Sequence, residues 1–128
     1  MFTKDKIKAA FELQEKEEQT ESRLVYEIMQ EIGKHGAVFR TNSGYVRLPN
    51  GKFFKGLPEG FADIMLIRRD GVVCFIECKV KPNKATDKQE AFIEKMRRMN
   101  CRAGVAYSVE EALEICGLIG VSKAERGD

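Results

Sequence analysis

The sequence has no apolar run approaching the ~20 residues that cross a bilayer, and its first residues, Met1 to Asp5, hold no hydrophobic signal core. The expectation is an intracellular chain with no membrane partner. A C-x-x-C pair is also missing, since the four cysteines stand at 74, 78, 101 and 116. Cys74 and Cys78 are four residues apart in a strand-like run, about 13 Å at ~3.3 Å per residue. Neither a disulfide nor a shared metal bridges that gap, so they read as small apolar thiols of a reducing compartment. There is no internal repeat, no low-complexity tract, and no helix with the basic, polar face of a major-groove reader. A strong charge excess is absent too: 22 Lys+Arg against 20 Asp+Glu leave a net charge of +2, and a pI near 8.3 is below that of a dedicated nucleic-acid binder.

What is present suits one domain. The chain has 128 residues, 43% hydrophobic and 33% charged, enough for one core and too apolar for a disordered segment. Its charge is segregated. Residues 12–31 carry seven acids and two bases, whereas residues 33–105 carry fifteen bases and seven acids. The middle block either attracts a polyanion or scatters solubilising charge around the domain.

Leu24, Val25, Ile28, Met29 and Ile32 recur on one face of a helix that Gly33 and Gly36 end. Thr3 to Thr20 has helical spacing as well, and periodicity leaves open whether it is a separate helix. Ala37 to Thr41 reads as a strand, and Tyr45–Leu48 and Lys52–Lys55 flank the turn Pro49-Asn50-Gly51 as a hairpin. Two strong strands follow, Phe61 to Arg68 and Val72 to Lys79. Thr86 with Gln89 forms a capping box for a helix with Phe92, Ile93, Met96 and Met99 on its apolar face. Ala103 to Tyr107 is another strand, and Ser108 with Glu111 a second capping box for a helix through Cys116. The order α-β-(hairpin)-β-β-α-β-α predicts an α/β fold, a mixed sheet flanked by helices.

The chemistry concentrates at one strand end. Val72 to Ile76 is apolar throughout, as in a central strand, and then Glu77 and Lys79 emerge on one face, about 7 Å apart. Asp63 interrupts the apolar run of the preceding strand. A two-residue loop at Asp70-Gly71 would turn Asp63 away from Glu77. A three-residue loop, Arg69-Asp70-Gly71 with Gly71 left-handed, pairs Asp63 with Glu77 and is the register expected here. Two opposed carboxylates repel unless a hard cation neutralises them. Glu21, on the core stripe of its helix, is either a partner of the helix dipole or a site residue. Gln89 is either the structural half of its capping box or a site residue.

Glu21-Ser22 at a helix start, Arg40 to Gly44, Gly60-Phe61-Ala62-Asp63, Phe75-Ile76-Glu77-Cys78-Lys79 and Gln89 together resemble the PD-(D/E)XK nuclease superfamily, and within it the VRR-NUC domain. The resemblance covers residues 20–116, leaving 1–19 as a helical N-terminal extension and 117–128 as a frayed tail. Ala62 stands where the superfamily's name has Pro. The resemblance implies a restriction-endonuclease-like fold and a Mg²⁺- or Mn²⁺-dependent deoxyribonuclease without an organic cofactor. It gives Asp63, Glu77 and the backbone carbonyl of Cys78 as metal ligands, Glu21 as an outer ligand, Lys79 as the residue that orients or deprotonates water, and Gln89 as a support. Asn42, Ser43 and Lys81 would lie beside the DNA backbone. Stand-alone members look like homodimers suited to branched DNA such as four-way junctions, in a phage or bacterial cytoplasm. The alternatives are a catalytically silent DNA-binding module of the same fold and a restriction-like nuclease with another substrate.

Overall fold

From Thr3 to Ile32 the chain contains neither Pro nor Gly, and its charged run, Glu15 to Glu18, consists of good helix formers. Accordingly α1 runs unbroken over Lys4–Ile32, capped by the Thr3 hydroxyl, which accepts from the Lys6 amide at 3.2 Å. The computed structural model describes residues 3–41, 43 and 45–119, less the side chains of 14–19 and 46. The two helical segments are therefore one. Glu21 and Ser22 stand in mid-helix, not at a helix start, which removes the dipole explanation of Glu21 because the positive end lies at Lys4. Among the described residues no helix is long and apolar enough to cross a membrane.

After a 3₁₀ turn, β1 (Gly36–Arg40) pairs antiparallel with β4 (Ile64–Arg68), which pairs antiparallel with β5 (Val73–Cys78). The chain crosses through α2 (Asp87–Arg98) to β6 (Arg102–Ala106), parallel to β5, giving a mixed sheet in the order β1-β4-β5-β6. β2 (Tyr45–Arg47) and β3 (Phe53–Lys55) form a separate ribbon around the predicted turn. β4 starts at Ile64 and not at Phe61, because Phe61 closes a turn onto Pro58 at 3.1 Å before the ladder begins.

The β4–β5 turn sets the site. The Arg68 amide donates to Val72 at 2.9 Å, and Gly71 has φ +87°. The ladder runs Ile67↔Val73 to Ile64↔Ile76, so one step further Asp63 stands opposite Glu77. This is the three-residue register expected from sequence. Asp70 steadies the turn by accepting from Arg68 Nε at 3.0 Å.

Even-numbered positions of β4 and β5 face α1 and α3 (Val109–Ile115). There Ile64, Leu66, Cys74, Ile76 and Cys78 pack with Val25, Ile28 and Ile32. Each large aliphatic contributes roughly 1.5–3 kcal/mol by leaving water. The opposite face carries Phe75 under α2. Phe61, Phe75 and Phe92 form a ring cluster with centroids 4.4 to 5.6 Å apart, tying the segment before Asp63 to β5 and α2.

The capping box of α2 is complete. At α3 only half of the expected box forms: Ser108 Oγ accepts from the Glu111 amide at 3.1 Å, but Glu111 Oε2 accepts from the Tyr107 amide at 2.6 Å. Tyr107 is the first residue past the β6 ladder, and its N–H needs a partner there. Gly117, with φ +72°, and Leu118 close the helix by bonding back to Glu114 and Leu113, so the residues read as the start of a tail form a cap. Residues 120–128 lie outside the described residues. All four cysteines are free thiols.

Candidate active site

The alternation of β5 sends Glu77 and Lys79 to the α2 face, at the end of the sheet where β4 begins. Glu77 is only 2% exposed. Its Oε1 accepts from Gln89 Nε2 at 2.9 Å and lies 3.8 Å from Lys79 Nζ. Its Oε2 is buried with no hydrogen-bond partner. Burial and then the charge of Asp63 push the Glu77 carboxyl from about 4.5 up to about 8, with Lys79 pulling the other way. Burial and the same carboxylates also raise the Cys78 thiol.

Asp63 is held by both its side chain and its backbone. Its Oδ2 accepts from the Cys78 amide at 2.9 Å and its carbonyl from the Thr41 amide at 2.9 Å. Thr41 Oγ1 donates to the Ala62 carbonyl next to it. Thr41 thus ties the end of β1 to the acid, a role that no local periodicity reveals because the contact spans 21 residues. Gln89 completes its capping box and also reaches Glu77. Its Oε1 accepts from the Thr86 amide at 2.8 Å, completing the cap, and its Nε2 serves Glu77.

Glu21 lines a cleft of about 310 Å³ with Ser22, Val25, Arg40 and Asp63. Its charge adds to the forces that keep Glu77 protonated. Ser22 and Arg40 reach this cleft without having been given a role there by the sequence reading. Asp63, Glu77, Lys79 and Gln89 are thus brought together, with Glu21 across the cleft wall. Ser43 is exposed and lines a different cleft, of about 570 Å³, with Tyr45, Lys55 and Leu57. Lys81 sits 5.8 Å above the Tyr107 ring, whose hydroxyl donates to the Asn83 carbonyl at 2.8 Å. Asn42 lies outside the described residues.

Among the described residues no three His, Cys, Asp or Glu side chains are grouped to hold a metal by themselves. The donor set nevertheless suits Mg²⁺ or Mn²⁺, hard cations commonly held by one or two carboxylates plus waters and substrate phosphate. The unpartnered Glu77 Oε2, facing a second acid, is a buried acceptor that calls for a cation or a proton.

A family profile described as "VRR-NUC domain" matches residues 13–110. A solved structure titled "VRR_NUC domain" superposes with a TM-score of 0.55 at 21% identity, covering 76% of this chain and 94% of its own, and so shares the fold. No curated protein matches. The profile spans most of the chain and includes the whole strand-end cluster from Glu21 to Gln89, so this chain belongs to the VRR-NUC domain family, a nuclease-type family.

Proposed function

We propose that this chain is a Mg²⁺- or Mn²⁺-dependent endonuclease that hydrolyses DNA phosphodiester bonds, selective for branched DNA such as four-way junctions. It acts as a homodimer in the cytoplasm of a bacterial or phage-infected cell. The observation that carries this reading is Glu77: a buried carboxylate opposite a second one, with one oxygen fixed by Gln89 and the other left without a protein partner.

In this reading Asp63, Glu77 and the Cys78 carbonyl would hold the cation, with Glu21 as an outer ligand. Once bound, such a cation lowers the pKa of water and neutralises charge developing on the phosphate. Lys79, 13% exposed and 3.8 Å from Glu77 Oε1, either orients the attacking water and offsets phosphate charge as its ammonium, or takes the water's proton as its neutral amine. Gln89 keeps Glu77 in one orientation, and Thr41 does the same for Asp63. Ser43, Asn42 and Lys81 contact the DNA backbone, positioning it without reading sequence.

The test is cleavage of labelled linear, flap and four-way-junction DNA with Mg²⁺, Mn²⁺ or EDTA, comparing wild type with Lys79→Ala. The expected result is metal-dependent cutting, fastest on the junction, lowered at least about 10²-fold in the variant. Binding by folded protein with no cutting in either metal would instead make the chain a silent DNA-binding module.

A further inference from the structure

The β2–β3 ribbon is the part of the fold that the reading above leaves unexplained. Tyr45 and Phe53 are 72% and 67% exposed, on a ribbon that no second layer covers among the described residues. The register pairs Tyr45 with Lys55 and Arg47 with Phe53, so these four side chains share one face. Two rings and two cations thus alternate across a solvent-exposed face, with Tyr45 and Lys55 at the edge of the cleft that Ser43 lines. Between Glu31 and Glu59 the chain has no Asp or Glu and five Lys or Arg, so nothing in that stretch neutralises the cations.

A single-stranded nucleic acid has both complements: flat bases that stack on exposed rings and phosphates that pair with cations. We propose that this ribbon face is a stacking platform for unpaired nucleotides of the DNA substrate. The proposal rests on the nuclease reading and says where one strand of the substrate lies. The ribbon's ends support it. Ser43 bridges to Leu57 at its base, and the chain on either side leads to Arg40-Thr41 and to Phe61–Asp63, the two segments that meet at Asp63. A nucleotide stacked on the ribbon is therefore tethered to the rim of the cleft. Glu59 lines the cleft beside Tyr45 and Lys55 but is paired with Lys88 at 2.9 Å, so a protein surface would satisfy the rings yet meet an excess of positive charge, which favours the polyanion.

The probe is a single-stranded 20-mer carrying 2-aminopurine, with its duplex as comparison, bound in EDTA so that no cleavage is needed. Wild type should quench the fluorophore and prefer the single strand. Tyr45→Ala with Phe53→Ala should lose the quench and about 10-fold or more in affinity, while Tyr45→Phe retains both. Arg47→Gln with Lys55→Gln should bind more weakly and with a shallower salt dependence, yet still quench. Unchanged affinity and quench in the double alanine variant would overturn the platform, as would a preference for duplex. So would a change of oligomeric state in that variant by light scattering, which would give the face to a second copy. Quenching by a wild type that never cuts DNA would keep the platform and sink the nuclease reading. Cutting without quenching would do the reverse.

Discussion

An ionised Glu77 is costly to the metal-free fold, and the direction of its shift says at which pH. With its carboxyl raised from about 4.5 to about 8, the folded chain keeps a proton that the unfolded chain releases in between. Stability is therefore greatest below pH 4.5 as far as this group is concerned, and falls as pH rises to 8. Urea denaturation of the metal-free protein at pH 5, 6.5 and 8 should show a loss on the order of a few kcal/mol, and Glu77→Gln should flatten the profile. Added Mg²⁺ or Mn²⁺ should raise the unfolding midpoint more at pH 8 than at pH 5, because the proton and the cation compete for the same oxygens. A metal effect equal at both pH values would argue against Glu77 as a ligand. Gln89 allows a finer separation. Gln89→Ala loses both the cap acceptor and the donor to Glu77, and should cost about 1–2 kcal/mol as well as activity. Gln89→Glu keeps the cap but sets a third carboxylate against Glu77 Oε1, so it should raise the Glu77 carboxyl further, lose stability as pH rises, and cut poorly. The opposed acids were legible in the sequence because alternation and one turn determine them. The double role of Gln89 was not, because a side chain with two ends does not have to choose.

Two glycines show how the elements place those residues. Gly71 has φ +87° with open space where a Cβ would go, whereas Gly60 has φ +91° with its Cβ position 2.8 Å from the Lys88 backbone. Alanine at either position should cost about 1–2 kcal/mol for the left-handed backbone alone. Gly71→Ala should keep its cutting rate per folded molecule, since the turn touches solvent. Gly60→Ala also pushes the Phe61–Asp63 segment off the first turn of α2, so it should lose more stability, and with it the cleavage rate. Thermal unfolding beside single-turnover cleavage separates the two, and equal activity would mean that this segment does not position Asp63. Gly71 was readable because a three-residue hairpin needs a left-handed residue at that point. Other element details were not: α1 is continuous because nothing breaks it, and a missing breaker is a weaker signal than a present one. The acid at the second cap, Glu111, went to Tyr107 because tertiary placement of β6 created a needier donor.

Over the whole molecule, charge sorts the exposed apolar surface into two kinds. The ribbon's rings lie in an acid-free stretch, while the first half of α1 exposes Ile7 and Phe11, 47% and 62%, one turn apart and leading into the acid-rich residues 12–31. Lys4, Lys6 and Lys8 flank that stripe, but α1 as a whole carries eight acids against five bases, so an apolar stripe on it fits a protein better than DNA, and a second copy of α1 laid against it fits the proposed homodimer. Resolving a four-way junction requires two cuts, hence two sites held together. Ile7→Glu with Phe11→Glu should therefore convert a dimer to a monomer by light scattering. The core should be unaffected, because among the described residues α1 packs on it through Leu24, Val25, Ile28, Met29 and Ile32, well past Phe11. Cutting of linear DNA per chain should persist in that variant, while paired cutting of the junction falls to independent single nicks. A variant that remains dimeric would move the interface off this stripe, and a monomeric wild type that still makes both junction cuts at once would remove the need for it.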